Sequence, residues 1–166
     1  MKPESKDSKY KILFVCLGNI CRSPAAEGVM KTIVDELGAS SLFYIDSAGT
    51  GGYHVGDDPD HRMRIHARRR GYELQHKCRK VSELDFDRFD LIIGMDDSNI
   101  ANLRRLAPTV EAEAKIHRMA EYIDLAGGFY DAVPDPYYEG SEGFELVLDL
   151  LENGCRNLAN QLLNSD

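Results

Sequence analysis

The sequence predicts an α/β fold: a three-layer sandwich in which helices cover both faces of a four-stranded, mostly parallel, twisted sheet. Three observations carry that expectation. Tyr10-Lys11-Ile12-Leu13-Phe14-Val15 is a continuous β-rich run, the pattern of a strand buried on both faces. A tight loop with Gly18 and Asn19 and then a strong helix start follow at once, which is how a βαβ unit opens. Short strands and helices then alternate along the chain, which favours parallel strands joined by crossovers.

At the first helix, Ser23 suits the N-cap, Pro24 the first helical position and Glu27 the first turn, with an end expected at Leu37 before Gly38. Leu42 to Asp46 reads as a second strand, and Pro59 to Arg70 as a helix ended by Gly71. A short helix near Asp85 to Phe89 precedes a third strand, Asp90 to Met95. Ser98 to Ala107 is a helix closed by Pro108, and Ala114 to His117 is a weaker fourth strand. Phe144, Val147, Leu148, Leu151, Cys155, Leu158 and Leu162 fall at helical spacing, so Ser141 to Leu163 is one long amphipathic helix. Met119 to Tyr138 shows no clean period and contains Gly127, Gly128, Pro134 and Pro136. Loops that long are usually functional. This one follows the fourth strand and so reaches the carboxyl edge of the sheet, where the loop after the first strand also lies.

The length of 166 residues fits one domain, 10–166, behind a flexible polar tail, 1–9. With 43% hydrophobic and 29% charged residues, the composition is that of an ordinary globular chain. The longest apolar runs are far too short to span a bilayer. Lys plus Arg is 20 against 28 for Asp plus Glu, a net charge of −8, which disfavours nucleic acid and anionic membranes as partners. Four cysteines without an apolar signal core point to a reducing compartment, with the cytoplasm as the default. A monomer is the expectation.

The chemistry concentrates in Cys16-Leu17-Gly18-Asn19-Ile20-Cys21-Arg22-Ser23. A Cys-x5-Arg spacing alone is weak, and most cysteines after a strand are structural. Here a buried strand delivers Cys16 and a helix begins just beyond Arg22. Such a loop aims several backbone N–H groups at one point above a helix N-terminus and makes an anion cradle. Arg22 adds a two-pronged donor for phosphate oxygens. A thiol in that position, next to an arginine, ionises more readily, so Cys16 is expected as a thiolate nucleophile, with the Ser23 hydroxyl able to donate to it. Cys21, five residues from Cys16 in the same curl, is placed to form a reversible disulfide with it. Cys78 and Cys155 read as structural.

The segment Val15-Cys16-Leu17-Gly18-Asn19-Ile20-Cys21-Arg22-Ser23-Pro24 resembles, without a mismatch, the signature loop of the low-molecular-weight protein tyrosine phosphatases. Asp135-Pro136-Tyr137-Tyr138 resembles the family's second signature. Asp46-Ser47-Ala48-Gly49-Thr50, His76-Lys77 and Met95-Asp96-Asp97-Ser98-Asn99 are also similar, so the likeness runs from Lys11 to Leu163. It implies a phosphatase of aryl phosphomonoesters that needs no cofactor or metal, acting on phosphotyrosine proteins or small aryl phosphates. It makes Cys16 the nucleophile, Arg22 the phosphate-binding and transition-state group, and Asp135 the general acid and later base. Leu17, Gly18, Asn19, Ile20, Cys21 and Ser23 would line the phosphate, while Tyr53, Tyr137 and Tyr138 would wall an aromatic slot. Asn19, in a left-handed turn, would be supported by Ser47 and His76. For Asp96, at a strand end, the resemblance gives a supporting role and its position an ordinary helix cap.

Two other functions use the same loop. An arsenate reductase also opens on Cys-x5-Arg but needs relay cysteines, and only Cys78 is near. A phosphotyrosine-binding module without chemistry would not need Cys16, Arg22 and Asp135 together. The arginines from Arg62 to Arg70 read as a solvated helix face with at most a minor part in steering anions. His61 and His66 lack a third partner at metal spacing, and Gly49-Thr50-Gly51-Gly52 lacks the glycine that a dinucleotide loop requires.

Overall fold

A computed structural model of the chain describes residues 8–125, 130–137 and 140–165. Strand β1, Tyr10–Cys16, runs into helix α1, Arg22–Glu36; β2, Phe43–Gly49, follows a short 3-10 turn. Then come α2 His61–Arg69, α3 Asp85–Arg88, β3 Leu91–Gly94, α4 Asp97–Leu106, α5 Val110–Glu113, β4 Ile116–Arg118 and the long α6 Ser141–Asn164.

The four strands stand in the order β2-β1-β3-β4, and every pairing is parallel. β1 lies in the middle, with Ile12 opposite both Ile45 and Leu91, and Cys16 opposite Gly49. The chain leaves β1 to one side for β2 and then crosses back to the other side for β3. Such a reversal opens a crevice at the carboxyl ends of the strands, and the Cys16 loop occupies it.

Successive side chains of β1 enter opposite layers. Ile12, Phe14 and Cys16 pack with α1, α6 and Met63 and Ala67 of α2. Leu13 and Val15 pack with Phe86, Phe89, Leu103 and Ala112 on the other face. This is why the strand reads as an unbroken apolar run. Each fully buried side chain of that size contributes roughly 1.5–3 kcal/mol, which holds Cys16 at a fixed height.

The elements foreseen from the sequence are present, with three corrections. Ser23 is not the N-cap of α1: the helix begins two residues earlier, at Arg22, Cys21 caps it without a side-chain bond, and the Ser23 hydroxyl turns into the loop instead. β2 extends to Gly49, and the fourth helix, foreseen from Ser98, starts at Asp97 behind an Asp96 cap. α5 is new; a single turn is too short to show a period. Gly38, at φ 69°, ends α1 as the sequence indicated. Among the described residues no helix is long and apolar enough to cross a membrane.

Candidate active site

The loop between β1 and α1 is shaped by Asn19, the one described non-glycine residue with positive φ, at 58°. Its side chain compensates for that conformation with four hydrogen bonds. Nδ2 donates to Ser23 Oγ at 2.8 Å and to Ser47 Oγ at 3.1 Å. Oδ1 accepts from the Arg79 backbone N–H at 2.9 Å and from His76 Nε2 at 2.7 Å. Behind them Ser47 donates to Glu27 Oε1 at 2.6 Å, and His76 Nδ1 lies 3.1 Å from the same oxygen. The main chain closes round the loop as well: Thr50 and Gly51 donate to the carbonyls of Cys16 and Leu17, Asp60 to that of Ile20, and the Cys78 thiol to that of Asn19.

Cys16 is buried, with Sγ 3.0 Å from Ser23 Oγ. Arg22 is 3% exposed and fixed by one nitrogen: Nη1 donates to Asp96 Oδ2 at 2.7 Å and to the Val133 carbonyl at 3.1 Å. Nη2 faces Asp135 at 3.7 Å. Burial works against the guanidinium's charge, but Cys16 and Asp96, with Asp135 adding, raise its pKa further above the ordinary value. Asp96 does both jobs the sequence allowed, accepting from Asn99 N–H to cap α4 while anchoring Arg22.

Asp135 is exposed and accepts the Tyr137 N–H at 3.0 Å. Its segment is tied down upstream where Val133 N–H donates to the Met95 carbonyl at 2.8 Å. Downstream, Arg62 Nη2 donates to the Tyr137 carbonyl at 2.9 Å, and its guanidinium sits over the Tyr137 and Phe144 rings at 5.3 and 4.9 Å. A cavity of about 300 Å³ results, lined by Cys16, Leu17, Gly18, Ile20, Cys21, Arg22, Tyr53, His54, Asp135 and Tyr137. Tyr138 lies outside the described residues.

His54, Arg62 and Val133 were missed in the sequence. His54 could have been found as the neighbour of Tyr53; Val133 acts through its carbonyl and has no side-chain signal. The other two thiols of this region are held back from ionising. Burial first and Asp60 second push the Cys21 pKa up, and burial with Asp57 pushes that of Cys78 up to about 11.

One described group has metal-ligand spacing: heteroatoms of Glu27, Asp46 and His76 all lie within 4.8 Å of one another. Lys31 and Ser47 already bond Glu27, Arg79 bonds Asp46 and Asn19 takes His76 Nε2, so the set is built as a hydrogen-bonded support for the loop.

A cysteine at the end of a central parallel strand, at the turn into a helix, stands with a buried arginine and an acid on one cavity, the arrangement of an enzyme that works on an anionic group. The comparisons name the family. Residues 11–166 match the family described as low molecular weight phosphotyrosine protein phosphatase. A putative low molecular weight protein-tyrosine-phosphatase of Synechocystis is 47% identical over 152 residues, covering 92% of this chain and 96% of that protein. The human low molecular weight phosphotyrosine protein phosphatase is 38% identical, covering 92% and 95%. The crystal structure of a protein tyrosine phosphatase from Entamoeba histolytica superposes with a TM-score of 0.88 at 43% identity, covering 93% of this chain and 97% of that one. The chain belongs to the low molecular weight phosphotyrosine protein phosphatase family.

Proposed function

We propose that this protein hydrolyses phosphotyrosine and other aryl phosphomonoesters in two steps through a cysteinyl-phosphate. The phosphate dianion sits among the loop N–H groups, with Arg22 Nε and Nη2 as a fork on two of its oxygens. Cys16 attacks phosphorus in line; the bond to the aryl oxygen breaks and Asp135 gives that oxygen its proton. Asp135, now a carboxylate, takes a proton from water, which attacks phosphorus and returns Cys16. The Ser23 hydroxyl hydrogen steadies the sulfur as it leaves. Ile20, Tyr53 and Tyr137 flank the ring, and a deep slot favours phosphotyrosine because a shorter phosphoserine does not bring its phosphate down to Cys16. The observation that carries this reading is that Cys16, Arg22 and Asp135, from opposite ends of the chain, line one cavity.

Turnover of p-nitrophenyl phosphate tests it. Cys16→Ser abolishes turnover. Asp135→Ala lowers kcat by about 10²–10⁴-fold on esters with poor leaving groups and less on good ones. A Cys16→Ser protein that still turns over would sink the reading. Arsenate reduction is disfavoured because its relay needs further paired cysteines at the loop, where beyond Cys21 Cys78 reaches it without a second thiol beside it and Cys155 lies in the core against α1.

The proposal includes reversible oxidation. Peroxide takes Cys16 to a sulfenic acid, the Cys21 thiol condenses with it to a disulfide and releases water, and added thiol reduces both sulfurs back. Recovery after peroxide is expected to be poorer in Cys21→Ala than in the wild type. Such chemistry suits a reducing compartment such as the cytoplasm.

A further inference from the structure

Helix α2 carries charge of one sign on its outer side. At about 100° per residue, Met63, His66 and Ala67 fall together, and these are the residues it buries. Arg64, Arg68, His61, Ile65, Arg69 and Arg62 follow one another round the opposite side, an arc of about 160° with no carboxylate in it. Arg62 and Arg68 are 45% and 62% exposed, and Arg69 is exposed too. Arg70, on the inner side, is neutralised by Glu145, Asp149 and Glu152 of α6 and does not belong to the face. Of the acids bordering it, Glu73 makes a solvent-exposed pair with Arg68 that another carboxylate can replace at little cost, while Asp60, mostly buried as the cap of the helix, keeps Arg62 at the rim. Arg69 pairs with no carboxylate among the described residues. In a chain of net charge −8, this is a concentration of the minority sign.

The face begins at the rim of the active site. Arg62, in the first turn, holds the Tyr137 carbonyl and lies over that ring, while the Asp60 N–H holds the Ile20 carbonyl of the phosphate loop. From there α2 runs away from the cavity for about 13 Å, the length of roughly four residues of extended peptide. We propose that the outer face of α2 docks acidic residues flanking the phosphotyrosine of a peptide substrate, an inference that rests on the phosphatase activity proposed above. A long polyanion or an anionic bilayer meets the acidic remainder of the surface and is repelled. The arc offers a bilayer only Ile65, which is half-buried, to insert.

Two phosphotyrosine peptides of equal length test this, one with Asp and Glu roughly two to five positions from the phosphotyrosine, the other with Asn and Gln there. The acidic peptide is expected to have the higher kcat/KM by roughly tenfold at low salt, a margin that shrinks as salt screens the face. The double variant Arg68→Glu, Arg69→Glu removes or reverses that preference and leaves p-nitrophenyl phosphate turnover unchanged. Should it fail to fold by circular dichroism, Arg69→Gln gives the same result in smaller measure. Equal kcat/KM on the two peptides overturns the proposal, as does a preference that survives the variants. So does wild-type sedimentation with phosphatidylserine vesicles without peptide discrimination, which would assign the face to membranes. Failure of the wild type on p-nitrophenyl phosphate would instead overturn the phosphatase reading itself.

Discussion

Asn19 joins the phosphate loop to everything that supports it. Its left-handed backbone costs an L residue about 1–2 kcal/mol, and its side chain offsets that by meeting Ser23, Ser47, Arg79 and His76. Asn19→Ala is expected to lower stability by about 1–3 kcal/mol through the orphaned partners and to weaken vanadate binding. Asn19→Gly relieves only the backbone part, so its melting temperature should fall between the two. Asp96 separates along another axis. Asp96→Asn keeps an oxygen for the Asn99 N–H but turns an amide donor toward the buried Arg22 and removes its counter-charge, so KM for aryl phosphate should rise several-fold and the melting temperature should fall with it. Ser47 and His76 were expected beside Asn19 from the resemblance, whereas its bond from the Arg79 backbone and the pairing of Asp96 with Arg22 were not legible in the sequence. Arg22 meets Asp96 and Val133 across separations of 74 and 111 residues, distances over which no local pattern operates. Cys16 and Arg22 were legible because one strand, one loop and one helix start hold them in a single run.

At the scale of elements, the end of β2 presses on the loop. A Cβ at Gly49 would stand 2.7 Å from the Leu17 carbonyl oxygen and 3.1 Å from Asn19 N, both backbone atoms that cannot swing aside. Gly49→Ala should displace the loop and lower kcat/KM on the order of 10²-fold with the fold retained, as circular dichroism beside kinetics would show. A second junction locks α2 to α6. The Glu145 carboxyl is held below its usual range mainly by the hydrogen bond from Arg70, against burial, with His66 adding to it. Its folded pKa is therefore below its unfolded one. The stability it contributes is fully present above pH about 4.5 and is lost as pH falls further. With 43% of Glu145 exposed, the effect is modest. Thermal melts from neutrality to about pH 3 should show a shallower acid loss in Arg70→Met than in wild type. Strands and long helices were readable because burial on two faces or one stripe leaves a period. The start of α1 was misplaced by sequence rules because the Ser23 hydroxyl that would cap the helix serves Cys16 instead.

For the whole molecule, the all-parallel sheet with both faces covered makes the strand ends rigid, while the acid arrives on a segment held at Val133 and Tyr137. Phosphate binding needs the folded loop, so phosphate at about a hundred times its Kd should stabilise the chain by about 2.7 kcal/mol. In thermal-shift measurements Arg22→Ala should lose that gain and Asp135→Ala keep it. The loop from Met119 to Tyr138 announced itself only by lacking a period, and at Val133 a backbone bond to Met95 and the Arg22 guanidinium, both far off in sequence, set its place. The Arg79 backbone N–H can only donate, so it fixes Asn19 Oδ1 as the acceptor and obliges His76 to carry a hydrogen on Nε2. That imidazole proton is thus a resonance sealed inside the protein, shielded from exchange with water while the loop stands and exposed once it opens. Nitrogen-edited spectra of the histidines would follow the catalytic loop without any label near the sulfur.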